Sequence, residues 1–90
     1  MAYRIELIPS ARRELEKIPP DVSRRVVRAI NQLAKEPRPL GARALRGDRS
    51  GLRIRVGDYR ILYEVDDDTL LVTVARVAPR GKAYRSGTLG

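Results

Sequence analysis

Twelve consecutive residues constrain this chain more than any others: Leu52-Arg53-Ile54-Arg55-Val56-Gly57-Asp58-Tyr59-Arg60-Ile61-Leu62-Tyr63. Apolar and polar residues alternate on both sides of Gly57-Asp58, the pattern of two half-buried strands. Gly followed by Asp suits a two-residue hairpin loop, because Gly supplies the positive φ that a type II′ turn needs at its first central position. Such a turn sets Val56 opposite Tyr59, Arg55 opposite Arg60, Ile54 opposite Ile61, Arg53 opposite Leu62 and Leu52 opposite Tyr63. Side chains alternate faces along a strand. Leu52, Ile54, Val56, Tyr59, Ile61 and Tyr63 therefore share one face, and Arg53, Arg55 and Arg60 share the other. Like charges across a strand pair are destabilising. Three guanidinium groups gathered on one face point to an anion that binds there.

The remaining composition agrees with that reading. Ninety residues make one domain, expected over 1–85 with 86–90 as a frayed tail. A hydrophobic fraction of 42% suits a folded chain. No apolar run approaches the ~18 residues of a membrane span and no signal-peptide pattern opens the chain, so a soluble, cytoplasmic protein that engages no membrane is expected. The absence of Cys removes disulfides and thiolate nucleophiles. With His absent too, a zinc site has no ligands to draw on, and no metal or cofactor is expected. The net charge is +8 and the isoelectric point is near 10.8. All the basic residues but Lys17, Lys35 and Lys82 are arginine, the side chain suited to bidentate phosphate contacts. A polyanion, either nucleic acid or an acidic protein, is the leading partner class.

Along the chain, Tyr3-Arg4-Ile5-Glu6-Leu7 alternates as a first strand with Tyr3, Ile5 and Leu7 inward. Ser10 is a plausible N-cap for a helix through Ala11 to Lys17, with Ala11, Leu15 and Ile18 on one face. Pro19-Pro20 breaks it. A second helix starts at Pro20 and Asp21. Its apolar stripe is Val22, Val26, Ile30, Leu33 and Ala34, widened by Val27. Arg24, Arg25, Arg28 and Lys35 form its solvated face. Residues 36 to 51 read as a long Pro/Gly/Arg-rich connection, of the kind that tends to be functional or mobile. Asp66-Asp67-Asp68 is an acidic turn; it lacks the spaced ligands of a calcium loop. Leu70 to Val77 is a further strand, apolar on both faces, and a reversal at Asp67-Asp68 would set Arg60 opposite Ala75. The tail, Ala78-Pro79-Arg80-Gly81-Lys82-Ala83-Tyr84-Arg85, adds three cations and an aromatic. The expected fold is α+β: an antiparallel sheet in the order β-α-α-β-β-β, with the helical hairpin covering the face of Ile54, Ile61, Tyr63, Val72 and Val74. The face of Arg53, Arg55 and Arg60 is left uncovered.

The strand and helical hairpin, then Leu45-Arg46-Gly47, then Gly57-Asp58-Tyr59-Arg60-Ile61-Leu62-Tyr63, then Arg80 with Tyr84 four residues on, together resemble the RelE/ParE toxin superfamily. The ending Pro79-Arg80-Gly81-Lys82-Ala83-Tyr84 is similar to archaeal RelE proteins. The resemblance spans residues 3 to 85. It implies a type II toxin that cuts mRNA in the ribosomal A site without a metal, by attack of the ribose 2′-hydroxyl on the adjacent phosphorus. It also implies roles. Arg60 would stabilise the transition-state phosphate, and Arg80 and Tyr84 would contact the reacting nucleotides, making these three the candidate catalytic residues. Arg53, Arg55, Lys82, Arg85 and Arg46 would bind RNA. The expected partners are a RelB-like antitoxin, the ribosome and mRNA, with the free toxin a monomer and the toxin–antitoxin pair a hetero-oligomer.

The chain departs from the best-known bacterial pattern in carrying Arg53 and Arg55 where that pattern has lysines. Arg keeps its proton at working pH, so it stabilises charge but shuttles protons poorly. The candidate general bases are then Tyr84, Lys82 and Glu64, or none. Glu64 shares strand parity with Arg60; a salt bridge to a neighbouring Arg is its alternative role. Tyr3, Tyr59 and Tyr63 face the core by parity. Two other functions compete. One is a ParE-like toxin that inhibits DNA gyrase by binding, without ribonuclease activity. The other is a non-catalytic nucleic-acid-binding module, which leaves the tail aromatic unexplained. Having Arg53, Arg55, Arg60, Arg80 and Tyr84 together favours the nuclease.

Overall fold

A computed structural model describes residues 2–45 and 48–79, with backbone alone at 48–50. The elements run β1 (Arg4–Leu7), α1 (Pro9–Glu16), α2 (Pro20–Gln32), β2 (Arg43–Leu45), β3 (Asp48–Val56), β4 (Tyr59–Asp66) and β5 (Leu71–Pro79). The strands form one sheet in the order β1-β5-β4-β3-β2. Both helices cover one face of it. Ala11, Ile18, Val26, Ile30 and Leu33 meet Ile54, Ile61, Tyr63, Val72 and Val74 in one buried cluster, as the apolar parity of the strands requires.

Helix α1 starts two residues earlier than expected. Pro9 occupies its first turn and Ile8 the N-cap, with no side-chain cap. Ser10 is therefore inside the helix. Proline suits that first position because it has no N–H to leave unbonded and its φ is already helical. Helix α2 starts at Pro20 with Asp21 in its first turn. Val26, Ile30 and Leu33 are buried, but Val27 is 40% exposed. The stripe widens instead through Ala29, which packs against the core.

The β3–β4 register matches the hairpin reading pair for pair, from Leu52↔Tyr63 to Val56↔Tyr59. Gly57 has φ +58, and a Cβ there would stand 3.8 Å from the Arg25 guanidinium. Three features differ from the sequence reading. First, Arg43–Leu45, read as part of a loop, pairs with β3 as an edge strand, Arg43 opposite Arg53 and Ala44 opposite Leu52. Three residues carry too little alternation to announce a strand; only the neighbouring β3 edge defines it. Second, the sheet is not wholly antiparallel. β1 pairs parallel with β5, Ile5 beside Val72 and Leu7 beside Val74. Third, Arg60 faces Ala78, not Ala75. The reversal takes four residues, 67–70. Asp66 Oδ1 accepts from the N–H groups of Asp68 and Thr69, and Leu70 takes φ +54. The register then shifts again between Leu62 and Tyr63, so that Leu62 faces Arg76 while Tyr63 faces Val74. Ala75 is the extra residue of that bulge.

The 36–42 connection is tied down near its start, at Pro37 and Arg38. The Tyr63 hydroxyl donates to the Pro37 carbonyl at 2.7 Å within the core. Arg38 donates to both carboxylate oxygens of Asp67, at 3.1 and 2.9 Å, and the Tyr3 hydroxyl donates to Asp67 Oδ1 at 2.6 Å.

Candidate nucleic-acid interface

The helix-free face of the sheet is built by strand parity. Arg55 and Arg60 are direct cross-strand partners on β3 and β4. Residues paired this way stand on the same face with Cα atoms about 5 Å apart. Arg53, two residues before Arg55, is on that face too, and its partner on β2 is Arg43. Arg43 therefore joins the row as a fourth guanidinium. Sequence reading missed it because the strand that carries it was read as loop.

This face is not uniformly open. Arg55 is exposed and Arg53 half-buried, but Arg60 is only 7% exposed, which corrects the expectation of a bare surface at that residue. Leu62 and Ala78 form a second small apolar cluster with Leu45 against it. Arg60 is two residues from Leu62 on β4 and directly opposite Ala78, so its stem lies beside this cluster. Its Nε and Nη1 are out of solvent contact. A charge in such surroundings interacts more strongly with a counter-charge than one in open water.

Strand β4 is electrically polar along its length. Arg60 lies near one end and Asp66 at the other, about 20 Å away at ~3.3 Å per residue. Glu64, Asp66, Asp67 and Asp68 line an acidic concavity of about 460 Å³ at the far end. Glu64 is exposed there, opposite Gly51 and Thr73, roughly 13 Å along the strand from Arg60. That separation takes Glu64 away from a phosphate held at Arg60. Asp67 is engaged by Arg38 and Tyr3, whose hydrogen bonds hold its carboxyl below the usual range. The same contact raises the Tyr3 hydroxyl, chiefly through its hydrogen bond to Asp67. Burial pushes Tyr63 up to about 12. Tyr59 and Tyr63 pack with the core, as parity requires, so neither offers a ring to a base. Arg24, Arg25, Arg28 and Lys35 are exposed on the outer side of α2.

Arg46, Arg80, Lys82, Tyr84 and Arg85 lie outside the described residues, as does the 86–90 tail. Among the described residues, no group of three or more acidic side chains has the geometry to hold a metal ion, and no helix is long and apolar enough to cross a membrane.

The chain is a small α+β domain with a helical hairpin on one sheet face and paired arginines on the other. Residues 5–84 match the family described as "ParE toxin of type II toxin-antitoxin system, parDE". The chain is 38% identical to Toxin RelG of Mycobacterium tuberculosis over 94% of its own length and 99% of that protein's. Among solved structures, it resembles the RelBE2 toxin–antitoxin complex of M. tuberculosis, with TM-score 0.77 and 34% identity over 89% of this chain and 100% of that one. It also resembles the archaeal RelE–RelB complex of Pyrococcus horikoshii, with TM-score 0.80 and 28% identity over 91% of this chain and 99% of that one. The chain belongs to the RelE/ParE superfamily and is a toxin of a type II toxin–antitoxin system.

Proposed function

We propose that this toxin is a ribosome-dependent mRNA endonuclease that cuts in the A site by 2′-hydroxyl attack. One observation carries the reading: Arg55 and Arg60 are cross-strand partners, with Arg53 and Arg43 beside them on the face that the helices leave uncovered. In the reaction the ribose 2′-oxygen bonds to the adjacent phosphorus and loses its proton. The bond from phosphorus to the 5′-oxygen of the next nucleotide breaks, that oxygen gains a proton, and a 2′,3′-cyclic phosphate remains. Negative charge builds on the non-bridging oxygens as the phosphorus becomes five-coordinate. Arg60, a sheltered guanidinium, stabilises that charge. Arg53, Arg55 and Arg43 hold the flanking phosphates and so orient the 2′-oxygen for attack. Arg46, Lys82 and Arg85 add phosphate affinity. Arg80 and Tyr84 contact the reacting nucleotides, with Tyr84 as proton acceptor or stacking partner.

Its partner is a RelB-like antitoxin, which the basic surface suits through charge complementarity. The proteins in the two complexes above are assembled with RelB-type antitoxins. The family description names ParE, which favours gyrase as the second target to examine. The experiment is a translation reaction dosed with purified toxin, with and without ribosomes, followed by mapping of mRNA ends. Cuts that need ribosomes and fall between codon positions two and three support the nuclease. Intact mRNA with trapped gyrase–DNA cleavage complexes replaces it with the gyrase reading.

A further inference from the structure

Strand β5 has two different neighbours on its outer edge. Over its first half β1 pairs with it, from Leu71 to Val74. Beyond Val74 that partner is gone, and at this point the bulge occurs. A side chain from α1 takes over. Glu14 Oε1 accepts from the Val77 backbone N–H at 2.8 Å, and Glu14 Oε2 accepts from Arg76 Nε at 3.0 Å. One carboxylate thus occupies the hydrogen-bonding place of a missing strand and neutralises the arginine beside it. Both side chains are sheltered, Arg76 at 20% and Glu14 at 27% exposed, so competition from water is reduced.

The bulge decides what lies beside Arg60. Had the Tyr63↔Val74 register continued unbroken, Val77 would face Arg60. With one residue looped out, Val77 turns into the core and Ala78 faces Arg60. A methyl group in place of a branched side chain leaves room for the guanidinium. The two residues that Glu14 holds are the first two after the looped-out Ala75. Glu14 also lines a cleft with Tyr59 and Pro79, and the next residue of the chain is Arg80.

We infer that Glu14 is a positioning residue: its carboxylate locks the bulged exit of β5 and so keeps Ala78, not a bulkier side chain, opposite Arg60. The consequence for cleavage rests on the nuclease reading; the effect on register does not. The test uses the full chain, ¹⁵N-labelled, with Glu14→Ala and Glu14→Gln. In Glu14→Ala the Val77 amide exchanges on the order of tenfold faster, as expected for loss of a charge-assisted hydrogen bond, while the amides of Ile61 and Tyr63 stay protected. On programmed ribosomes kcat falls by about tenfold and KM stays within about twofold, the split expected when an interaction made only in the transition state is lost. Glu14→Gln, which keeps one acceptor oxygen, restores Val77 protection and most of kcat. Unchanged Val77 exchange in Glu14→Ala overturns the inference. So does loss of protection across β3, β4 and β5 in both variants, because Glu14 then holds the whole fold. Selective loss at Val77 with kcat unchanged removes Glu14 from the reaction. If the unsubstituted chain leaves mRNA intact while Val77 still responds selectively, the nuclease reading falls and the register assignment stands.

Discussion

Arg60 and Ile61 are neighbours on β4, and both are buried, at 7% and 0% exposure. They point to opposite faces and meet opposite surroundings. Ile61 enters a continuous aliphatic core shared by both helices and most of the sheet. Arg60 enters a face where, among the described residues, Leu62, Ala78 and Leu45 form a small cluster and where the cross-strand partner is another arginine. Burial on the first face is repaid by the hydrophobic effect. Burial on the second places a charge where it repels its neighbour and attracts an anion. One face therefore supplies stability, and the other holds a cationic surface that the first must stabilise.

Substitutions that separate the two faces test this division. Ile61→Ala removes a fully buried side chain and is expected to lower unfolding free energy by about 2–5 kcal/mol, read from urea midpoints, with phosphate affinity unchanged in whatever fraction stays folded. Arg60→Ala reverses the pattern: single-turnover cleavage falls by about 10²–10³-fold, with a stability loss below that of Ile61→Ala. Full cleavage by Arg60→Ala would erase the functional half of the comparison.

Tyr63 sharpens the first face. Replacing it with Phe deletes the donor to the Pro37 carbonyl and costs about 1–2 kcal/mol. Its hydroxyl is pushed up to about 12 by burial, so folding favours the neutral form. The resulting stabilisation is complete below pH ~10 and is lost as pH climbs from there through 12. Tyrosinate absorbance should show one ring ionising late and together with unfolding; ionisation of all four tyrosines near 10 in the folded chain would contradict the buried bond.

Arg55→Ala probes the second face more gently. The affinity for single-stranded RNA should lose about 0.7 from its slope of log K against log salt, the signature of one phosphate contact. An unchanged slope would take Arg55 off the interface. The smallest effect belongs to Asp67, exposed and held below its ordinary range by Arg38 and then Tyr3. Its contribution is present above the unfolded carboxylate value and is lost as pH falls through the lower folded one. Asp67→Asn should flatten acid unfolding slightly in that window, and an acid limb of the same shape would show that the clasp contributes nothing.

The central hairpin was legible in advance because a two-residue Gly-Asp loop leaves no freedom in register. Every pair from Leu52↔Tyr63 to Val56↔Tyr59 follows from it. The covered face was legible too, since alternation in the strands and the spacing of Val26, Ile30 and Leu33 in α2 each mark a single apolar side. Other features left weaker traces. β2 is three residues long and owes its existence to the edge of β3. The parallel pairing of β1 with β5 joins residues more than sixty positions apart. The bulge at Ala75 follows a uniformly apolar run, in which no change of pattern marks a skipped residue.

By itself, then, the amino-acid order determined which residues are apolar partners, which arginines share a strand face, and where the chain reverses tightly, because these depend on local backbone periodicity. Only the assembled structure decided that Arg43 joins the cationic row, that Ala78 stands opposite Arg60, and that Glu14 takes the place of a strand beside Val77. Each of these depends on which groups remain unpaired once the sheet has formed, and that is settled by contacts between segments far apart in the chain.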